Sequence, residues 1–296
     1  MTLHVNDKKC KPPRPVTARL DATGESLPLA RRSGDNIERE MAKRKGNRAN
    51  RPPRPKSTSG VGTTWLYGIH PVAAALSNPA RVRRRLVATQ DGAERLSALG
   101  DQPEIIDRRA LEELLPSGAV HQGVALSTGP LAAVSVEDIA DRGAAAERAA
   151  VVILDRVSDP HNVGAVIRSA AVFGALGVVI PDRNSPPLGG VLAKSASGGL
   201  ETVPLIRVAN LARALDAIKE RGFWCVGLDA MAETVLDPAT LPDHVAFVLG
   251  AEGSGLRRLT RERCDYTASI ASSGSVASLN VSCAATVALY TFWRFA

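Results

Sequence analysis

The stretch that decides the fold is residues 151–168, VVILDRVSDPHNVGAVIR. Its opening run, residues 151–154, is aliphatic without polar alternation, which is typical of a strand buried on both faces. Either Asp159 or Asn162 can cap a helix that follows. The apolar residues of that helix fall at i, i+3, i+4 and i+7 and form one buried stripe, namely Val163, Val166, Ile167 and Ala170. The stretch therefore predicts a buried strand, a short loop and an amphipathic helix.

The same pattern recurs through the second half of the chain. Further apolar runs lie at residues 177–180, 204–206, 223–226, 245–249 and 266–270. Near-continuous apolar strands between helical segments predict an α/β fold, with a parallel sheet covered by helices on both faces. Ligands of such sheets bind beyond the carboxyl ends of the strands, so the loops that follow strands are the candidate functional segments.

Two further loops have the composition of a ligand site. Residues 250–256, GAEGSGL, follow the strand at 245–249, and their glycines let a ligand approach the backbone closely. This loop follows the fifth strand and is not GxGxxG, which disfavours a Rossmann-type dinucleotide site. Residues 270–280, IASSGSVASLN, precede an apolar helix at 281–292. Helix capping remains the alternative to a functional role for Asn162, and likewise for Ser278 and Asn280.

Arg168 is the candidate cation of the first loop-helix segment. It stands one turn after Gly164, and we expect the missing side chain to leave room for the guanidinium near the strand ends. There it could bind a phosphate or a ribose hydroxyl. A solvated helix face is the alternative.

The first half of the chain has a different organisation. Residues 1–62 lack apolar periodicity and are rich in Pro, Arg, Lys, Gly and Ser, so we predict a disordered basic tail. Residues 63–130 alternate short strands (65–67, 86–88, from 105, 120–126) with helices (70–76, 93–99, 108–115) and predict a small α/β unit. The Ala-rich residues 131–148 are predicted to be a helical linker before the domain at 149–296.

Charge is concentrated in the predicted tail. Residues 1–60 carry 15 Lys and Arg against 6 Asp and Glu, and the remainder carries 22 against 24, which together give the net +7. A basic tail beside a near-neutral body suits a polyanionic partner, with a solubilising tail as the alternative. RNA affinity would then depend on the tail and on arginines 81 and 83–85.

Other functional classes are disfavoured by composition. We expect no membrane span, because no long uncharged apolar run occurs, and no secretory signal at Met1 to Lys11. The four cysteines form no CxxC pair and no zinc-ligand spacing, so we expect no metal and reduced thiols in the cytoplasm.

Taken together, the three loops resemble the motifs of the SpoU (TrmH-type) RNA ribose methyltransferases of the SPOUT superfamily. The resemblance is carried by residues 159–168 (DPHNVGAVIR), 249–256 (LGAEGSGL) and 278–282 (SLNVS), supported by 195–199 (SASGG) and Val203-Pro204. Residues 67–72 (YGIHPV) and 121–124 (HQGV) resemble the substrate-binding domain of the subfamily that methylates a guanosine of 23S rRNA.

The resemblance implies a fold, a cofactor and a partner. It implies a SPOUT-type sheet with a C-terminal trefoil knot, preceded by an L30e-like domain. It also implies a cytoplasmic homodimer that uses S-adenosyl-L-methionine to methylate a ribose 2′-hydroxyl of rRNA.

The site residues follow by the same resemblance. It implies that the catalytic surface comprises Asn162, Arg168, Glu252, Ser278 and Asn280. It implies cofactor contacts from Leu249, Gly250, Gly253, Ile270 and Leu279. The candidate RNA contacts are His70, Arg83, Arg84, Arg85 and His121; for the histidines, a structural role is the alternative. Family members commonly have Pro where this chain has Ala271, so we expect a less rigid loop at that position.

In the family, the arginine at position 168 is proposed to assist deprotonation of the hydroxyl. An electrostatic role is physically easier, because arginine keeps its proton in proteins. Two other functions stay open at this point: a tRNA ribose methyltransferase, and a non-catalytic RNA-binding assembly factor.

Overall fold

The computed structural model describes residues 64–275 and 278–294; the predicted tail, residues 1–62, lies outside them. The strands are β1 (Thr64–Tyr67), β2 (Arg83–Ala88), β3 (Glu104–Ile105), β4 (Val124–Thr128), β5 (Ala149–Asp155), β6 (Val178–Pro181), β7 (Leu205–Val208), β8 (Trp224–Leu228), β9 (His244–Gly250) and β10 (Tyr266–Ala268). The helices are α1 (Ile69–Ser77), α2 (Gln90–Leu96), α3 (Arg108–Leu114), α4 (Val136–Ala144), α5 (Pro160–Val172), α6 (Gly190–Ala196), α7 (Leu211–Lys219), α8 (Arg258–Arg261) and α9 (Val281–Arg294). Short 3-10 turns lie at Ser97–Leu99, Gly199–Glu201 and Pro238–Thr240.

The larger sheet has six strands in the order β10-β8-β9-β5-β6-β7, and every pairing in it is parallel. At its centre, all seven residues of β5 are buried, and β5 pairs with β9 along its whole length. The α/β class with a parallel sheet, predicted from the uninterrupted apolar runs, is therefore confirmed.

Helices cover both faces of this sheet. Residues of β5 alternate between two cores: Val152 belongs to the core that contains α5 and α9, and Val151 to the core that contains α4 and α7. This alternation follows from the two-residue period of a strand. The predicted stripe of α5 is fully buried, as Val163, Val166, Ile167 and Ala170 are each 0% exposed. The segment predicted as a helical linker contains α4, which begins with a capping box between Ser135 and Asp138.

The smaller sheet has four strands in the order β1-β4-β2-β3, and only the β2–β3 pairing is parallel. The strand predicted at 120–126 begins only at Val124. Before it, Gln122 and Gly123 adopt left-handed backbone angles (φ 56° and 83°), and His121 Nδ1 accepts a hydrogen bond from the Gly123 amide at 3.1 Å. A turn thus replaces the first half of the predicted strand.

A buried ion pair joins the two sheet regions. Arg81 donates from Nε and Nη2 to the two carboxylate oxygens of Glu201, at 3.0 and 2.5 Å, and both side chains are 6% exposed. Asn78 donates to the same carboxylate at 2.8 Å, and Arg81 also donates to the Gly129 carbonyl. Sequence analysis assigned Arg81 to RNA contact, but in the structure its guanidinium is bound to the Glu201 carboxylate.

Helix α6, which sequence analysis did not identify as a helix, packs between the two regions. A Cβ on Gly190 would lie 2.1 Å from the Tyr67 ring, so only glycine allows this contact with β1. No helix within the described ranges is both long and apolar enough to cross a membrane.

Candidate active site

The first and second predicted loops meet where two neighbouring strands end. Asp155, the last residue of β5, pairs with Gly250, the last residue of β9. The helix after β5 is capped by Asp159, whose Oδ1 accepts from the His161 amide at 2.9 Å. Of the two candidate caps, Asp159 is therefore the one used, which leaves the Asn162 side chain available for other contacts.

Three of the predicted catalytic residues form one hydrogen-bond network. Glu252 Oε1 accepts from Asn162 Nδ2 at 3.0 Å and from Asn280 Nδ2 at 2.6 Å. Asn280 Nδ2 also donates to Asn162 Oδ1 at 3.0 Å. Glu252 Oε2 has no hydrogen-bond partner among the described residues, so one carboxylate oxygen remains available to a ligand.

The orientation of Asn280 is set by the helix it precedes. Its Oδ1 accepts from the Ser282 amide at 2.8 Å and from the Ser282 hydroxyl at 2.6 Å, at the start of α9. Because both Ser282 groups donate to the Asn280 side-chain oxygen, the NH2 group on the other side of that amide faces Glu252. Asn280 thus caps α9 and also belongs to the network, which joins the two interpretations that sequence analysis left as alternatives.

The loop after β9 lies very close to its own strand. A Cβ on Gly250 would lie 2.0 Å from the carbonyl carbon of Gly255, so no other residue fits there without moving backbone. Gly253 and Gly255 have φ values of 78° and 63°, which favour glycine. The loop closes on itself through the Gly255 amide, which donates to the Ala251 carbonyl at 2.9 Å.

A cavity of about 1060 Å³ opens beside this loop. All five predicted cofactor residues line it: Leu249, Gly250, Gly253, Ile270 and Leu279. Three predicted catalytic residues also line it: Glu252, Ser278 and Asn280. Asn162 does not line it, and reaches its edge through the hydrogen bonds to Glu252 and Asn280.

Sequence analysis missed one wall of this cavity. Residues 228–231, which begin at the last residue of β8, line it together with Arg261, which forms an ion pair with Asp229. The rule that ligands bind beyond the carboxyl ends of strands applied equally to β8, and could have found this loop. The partner of Asp229 could not have been found, because Arg261 lies 32 residues further along the chain.

Arg168 lies apart from the network. Its side chain is exposed and makes no hydrogen bond or ion pair with any described residue. It follows Asn162 by six residues, which is about 9 Å along a helix axis. The reason given for Gly164 was wrong: a Cβ there would lie 2.5 Å from Ser195 Cβ, so this glycine allows α6 to pack against α5.

Helix α6 also holds the residue next to Asn162. His161 Nδ1 lies 3.1 Å from the Ser195 hydroxyl, which orients the exposed ring. One residue earlier in α6, Lys194 donates to Gln122 Oε1 of the smaller sheet region at 3.2 Å. Partial burial lowers the pKa of the Lys194 ammonium below its ordinary value.

The predicted RNA contacts are spread over the smaller sheet region. His70, Arg83, Arg84 and Arg85 are exposed. Arg83 pairs with Asp101 at 3.2 Å. Arg85 pairs with Glu104 at 2.9 Å, and the hydrogen bond between them raises the pKa of the arginine and lowers that of the carboxyl.

His121 is placed differently. Its side chain is 6% exposed, and Nε2 lies 3.7 Å from the carboxylate of Glu112. With Nδ1 bonded to the Gly123 amide, the ring holds the turn at 121–123. Any effect of His121 on RNA would therefore act through that turn.

The described residues hold no cluster of three or more His, Cys, Asp or Glu that could bind a metal ion. Burial raises the pKa of the Cys225 thiol to about 12, and it does the same for Cys264. Both thiols therefore stay protonated at neutral pH, which makes them poor nucleophiles and poor metal ligands. Cys283 is exposed.

Two family matches cover most of the described chain. Residues 149–290 match the SpoU rRNA Methylase family, and residues 65–133 match a family described as RNA 2′-O ribose methyltransferase substrate binding.

Full-length relatives agree with these matches. The 23S rRNA (guanosine-2′-O-)-methyltransferase RlmB of Vibrio cholerae is 40% identical over 233 residues, which cover 76% of this chain and 94% of that relative. The protein of the same name from Escherichia coli K12 is also 40% identical, covering 76% of this chain and 96% of the relative.

A solved structure extends the likeness to three dimensions. The SpoU methyltransferase AviRb from Streptomyces viridochromogenes, in complex with the cofactor AdoMet, superimposes with a TM-score of 0.64 at 26% identity. The match covers 79% of this chain and 90% of AviRb. The fold and the loops at the carboxyl edge are those of an RNA methyltransferase. This chain belongs to the SpoU rRNA methylase family.

Proposed function

We propose that this protein transfers a methyl group from S-adenosylmethionine to the ribose 2′-hydroxyl of a guanosine in 23S rRNA. The observation that carries the proposal is the Asn162–Glu252–Asn280 network at the edge of the cavity beside the β9 loop. The names of the relatives that cover most of this chain supply the substrate.

The lining of the cavity fits this cofactor. Leu249, Ile270 and Leu279 offer apolar surface, and the backbone of Gly250 at the cavity wall offers polar groups. The Glu252 carboxylate suits a ligand that carries a positive sulfonium. Bound there, S-adenosylmethionine would supply an electrophilic methyl group.

The chain itself must position the hydroxyl and stabilise the charge that develops on its oxygen. Positioning can lower a barrier by about 7–11 kcal/mol in ideal cases. Glu252 Oε2 can accept a hydrogen bond from the ribose hydroxyl, while Oε1 is held by the side-chain amides of Asn162 and Asn280. Ser278 supplies a further hydroxyl at the cavity wall.

Arg168 acts electrostatically in this scheme. A guanidinium keeps its proton in proteins and is therefore a poor base, but that of Arg168 can bind the phosphate beside the reacting ribose and stabilise a developing alkoxide. Its lack of any partner among the described residues leaves its charge available for RNA.

The finer architecture is part of the proposal. We assign residues 63–130 to an L30e-like substrate-binding domain, 131–148 to a linker and 149–296 to a catalytic domain whose C-terminal segment forms a trefoil knot. The tail at 1–62 would contact RNA phosphates. An rRNA substrate implies a cytoplasmic location.

A homodimer completes the proposal. Val172 is 70% exposed and Tyr290 is 46% exposed; both lie on the outer side of the α5–α9 pair, where Phe173 and Tyr290 stack edge to face. An apolar face of this kind is suited to a second copy of the chain. Gel filtration with light scattering measures the oligomeric state, and a monomer at micromolar concentration would refute the proposed homodimer.

The test is methyl incorporation from labelled S-adenosylmethionine into 23S rRNA and bulk tRNA, measured side by side. Arg168→Ala is the inactive control. Arg142→Ala is the matched control, because Arg142 is also an exposed arginine without a partner among the described residues and lies on α4, towards the amino end of β5.

Label in 23S rRNA that is lost with Arg168→Ala and kept with Arg142→Ala supports the proposal. Label only in tRNA would keep the chemistry and replace the substrate. Absence of both label and cofactor binding would favour a non-catalytic RNA-binding protein.

A further inference from the structure

A second cavity, of about 470 Å³, opens at the carboxyl ends of β5, β6 and β7. Four arginines line it: Arg156, Arg183, Arg257 and Arg258. The rest of its wall comes from the ends of β6 and β7, the start of α7 and helix α8, and includes no acidic residue. No motif of the family resemblance includes Arg156 or Arg183.

Two of the four charges are already neutralised. Arg257 binds the buried carboxylate of Asp155 through Nε at 2.7 Å and through its backbone amide at 3.2 Å. Arg258 pairs with Glu262 at 2.5 Å. These pairs hold the cavity wall in place rather than supply free charge.

The other two charges are unbalanced. Neither Arg156 nor Arg183 makes a hydrogen bond or ion pair with any residue in the described part of the chain, and both are exposed. Asp182 precedes Arg183 along the chain but does not line the cavity. The cavity therefore presents two guanidinium groups without a counter-charge.

The backbone at Arg156 adds a second observation. Its φ is 63°, in the left-handed region where glycine is favoured and an ordinary side chain is strained. Backbone strain of this kind costs about 1–3 kcal/mol, persists where the surrounding structure imposes it, and clusters at functional sites. The turn thus keeps an arginine at a position that would be more stable with glycine.

We propose that this cavity binds a backbone phosphate of the RNA substrate, away from the nucleotide that is methylated. Arginine pairs bind phosphate through parallel N–H donors. The amides at the start of α7 add little, because Asn210 Oδ1 already accepts from those of Ala212 and Arg213. This inference rests on the proposed function, because RNA is the ligand in both.

The position of the cavity on the sheet supports RNA over a small anion. The cofactor cavity lies beyond the ends of β8, β9 and β10, and the arginine cavity lies beyond β5, β6 and β7. Both open on the same edge of one sheet. An RNA strand along that edge would contact both, with the arginine pair fixing its register and the Asn162–Glu252–Asn280 network acting on one ribose.

The experiment compares the full-length protein with Arg156→Gly, Arg183→Ala and the double variant, with Arg142→Ala as the matched control. Arg156→Gly removes the guanidinium and relieves the strained backbone, so its melting temperature should not fall. Binding to a 23S rRNA transcript is measured by filter retention at several salt concentrations, and binding of S-adenosylmethionine by calorimetry.

The double variant should bind the transcript roughly tenfold more weakly at low salt, and its plot of log Kd against log salt should be flatter by about 1.5, as expected for two lost phosphate contacts. The KM for RNA should rise while kcat at saturating RNA stays near that of the parent. The double variant should bind S-adenosylmethionine as tightly as the parent, and Arg142→Ala should bind the transcript as tightly as the parent.

Wild-type Kd and salt slope in the double variant would overturn the phosphate site while leaving the proposed function intact. Failure of the unmodified protein to bind or methylate any RNA would instead overturn the proposed function, and this inference with it.

Discussion

Three arginines beside the four-stranded sheet differ in their partners from three around the six-stranded sheet. Beside the four-stranded sheet, Arg81, Arg83 and Arg85 each pair with an acid, namely Glu201, Asp101 and Glu104. Around the six-stranded sheet, Arg156, Arg168 and Arg183 have no partner among the described residues. The densest run of arginines in this part of the sequence is thus largely neutralised, and the isolated arginines are available. The number of arginines in a stretch of sequence therefore does not indicate how many of them are free to bind a ligand.

Two glutamates show the same contrast. Both oxygens of Glu201 are bound by Arg81, and the side chain is 6% exposed. Glu252 is exposed, and only Oε1 is bound, by two amides. The first carboxylate is saturated and stabilises the protein, whereas the second keeps an acceptor free. Substitutions beside the small sheet should therefore change stability, and those at the edge of the large sheet should change ligand binding and turnover.

The largest effect is expected from Gly250→Ala. The added Cβ would overlap the backbone of Gly255, and no side-chain rotation can relieve a contact of 2.0 Å. The loop must move, and we expect affinity for S-adenosylmethionine to fall roughly 1000-fold, equivalent to about 4 kcal/mol.

Gly253→Ala is the control in the same loop, because a Cβ there meets nothing within 4 Å and adds only left-handed strain, which costs about 1–2 kcal/mol. Calorimetric titration of both variants checks the prediction. Unchanged affinity in Gly250→Ala would mean that the cofactor does not bind at this loop.

Arg81→Ala should act on stability. It leaves the Glu201 carboxylate buried with only Asn78 as a partner, and removal of one member of a buried pair costs about 3–5 kcal/mol. Urea unfolding of the full chain measures this. Arg85→Ala is the comparison, since its exposed pair with Glu104 should contribute less than about 1 kcal/mol. Equal losses in the two variants would erase the distinction between the buried and the exposed pair.

Glu252→Gln should act on turnover. In one orientation, the glutamine NH2 group would face the donor groups of Asn162 and Asn280. In the other, an uncharged oxygen would accept from them more weakly than the carboxylate does. Either way the hydrogen-bond network is weakened. We expect kcat to fall roughly 100-fold, about 2.7 kcal/mol, with melting temperature little changed. A loss confined to stability would make Glu252 a structural residue like Glu201.

Local patterns predicted the sheet, because a buried strand has a recognisable periodicity. The apolar runs located β5 and β9, and the loops after them contain Asn162 and Glu252, two of the three residues that meet at the network. The individual residues around the cavity came from the family resemblance. The pairings of the arginines could not be predicted in this way. Arg81 and Glu201 lie 120 residues apart, and their contact depends on how α6 and the following 3-10 turn pack against the small sheet. Gly164 was misinterpreted for the same reason, since its neighbour Ser195 belongs to a helix that the sequence did not indicate.

The smallest effect is expected from Arg83→Ala combined with Arg85→Ala, although this run is where sequence analysis placed the RNA contacts. Each guanidinium already faces a carboxylate, so a phosphate must compete with Asp101 or Glu104, and little net charge is gained on binding. We expect the Kd for a 23S rRNA transcript to rise less than about threefold at low salt, with a slope in log Kd against log salt close to that of the parent. The opposite change, Asp101→Asn with Glu104→Gln, should free both arginines and tighten binding, most clearly at low ionic strength. A tenfold loss in the double alanine variant would show that RNA displaces the carboxylates, and the two regions would then bind RNA in the same way.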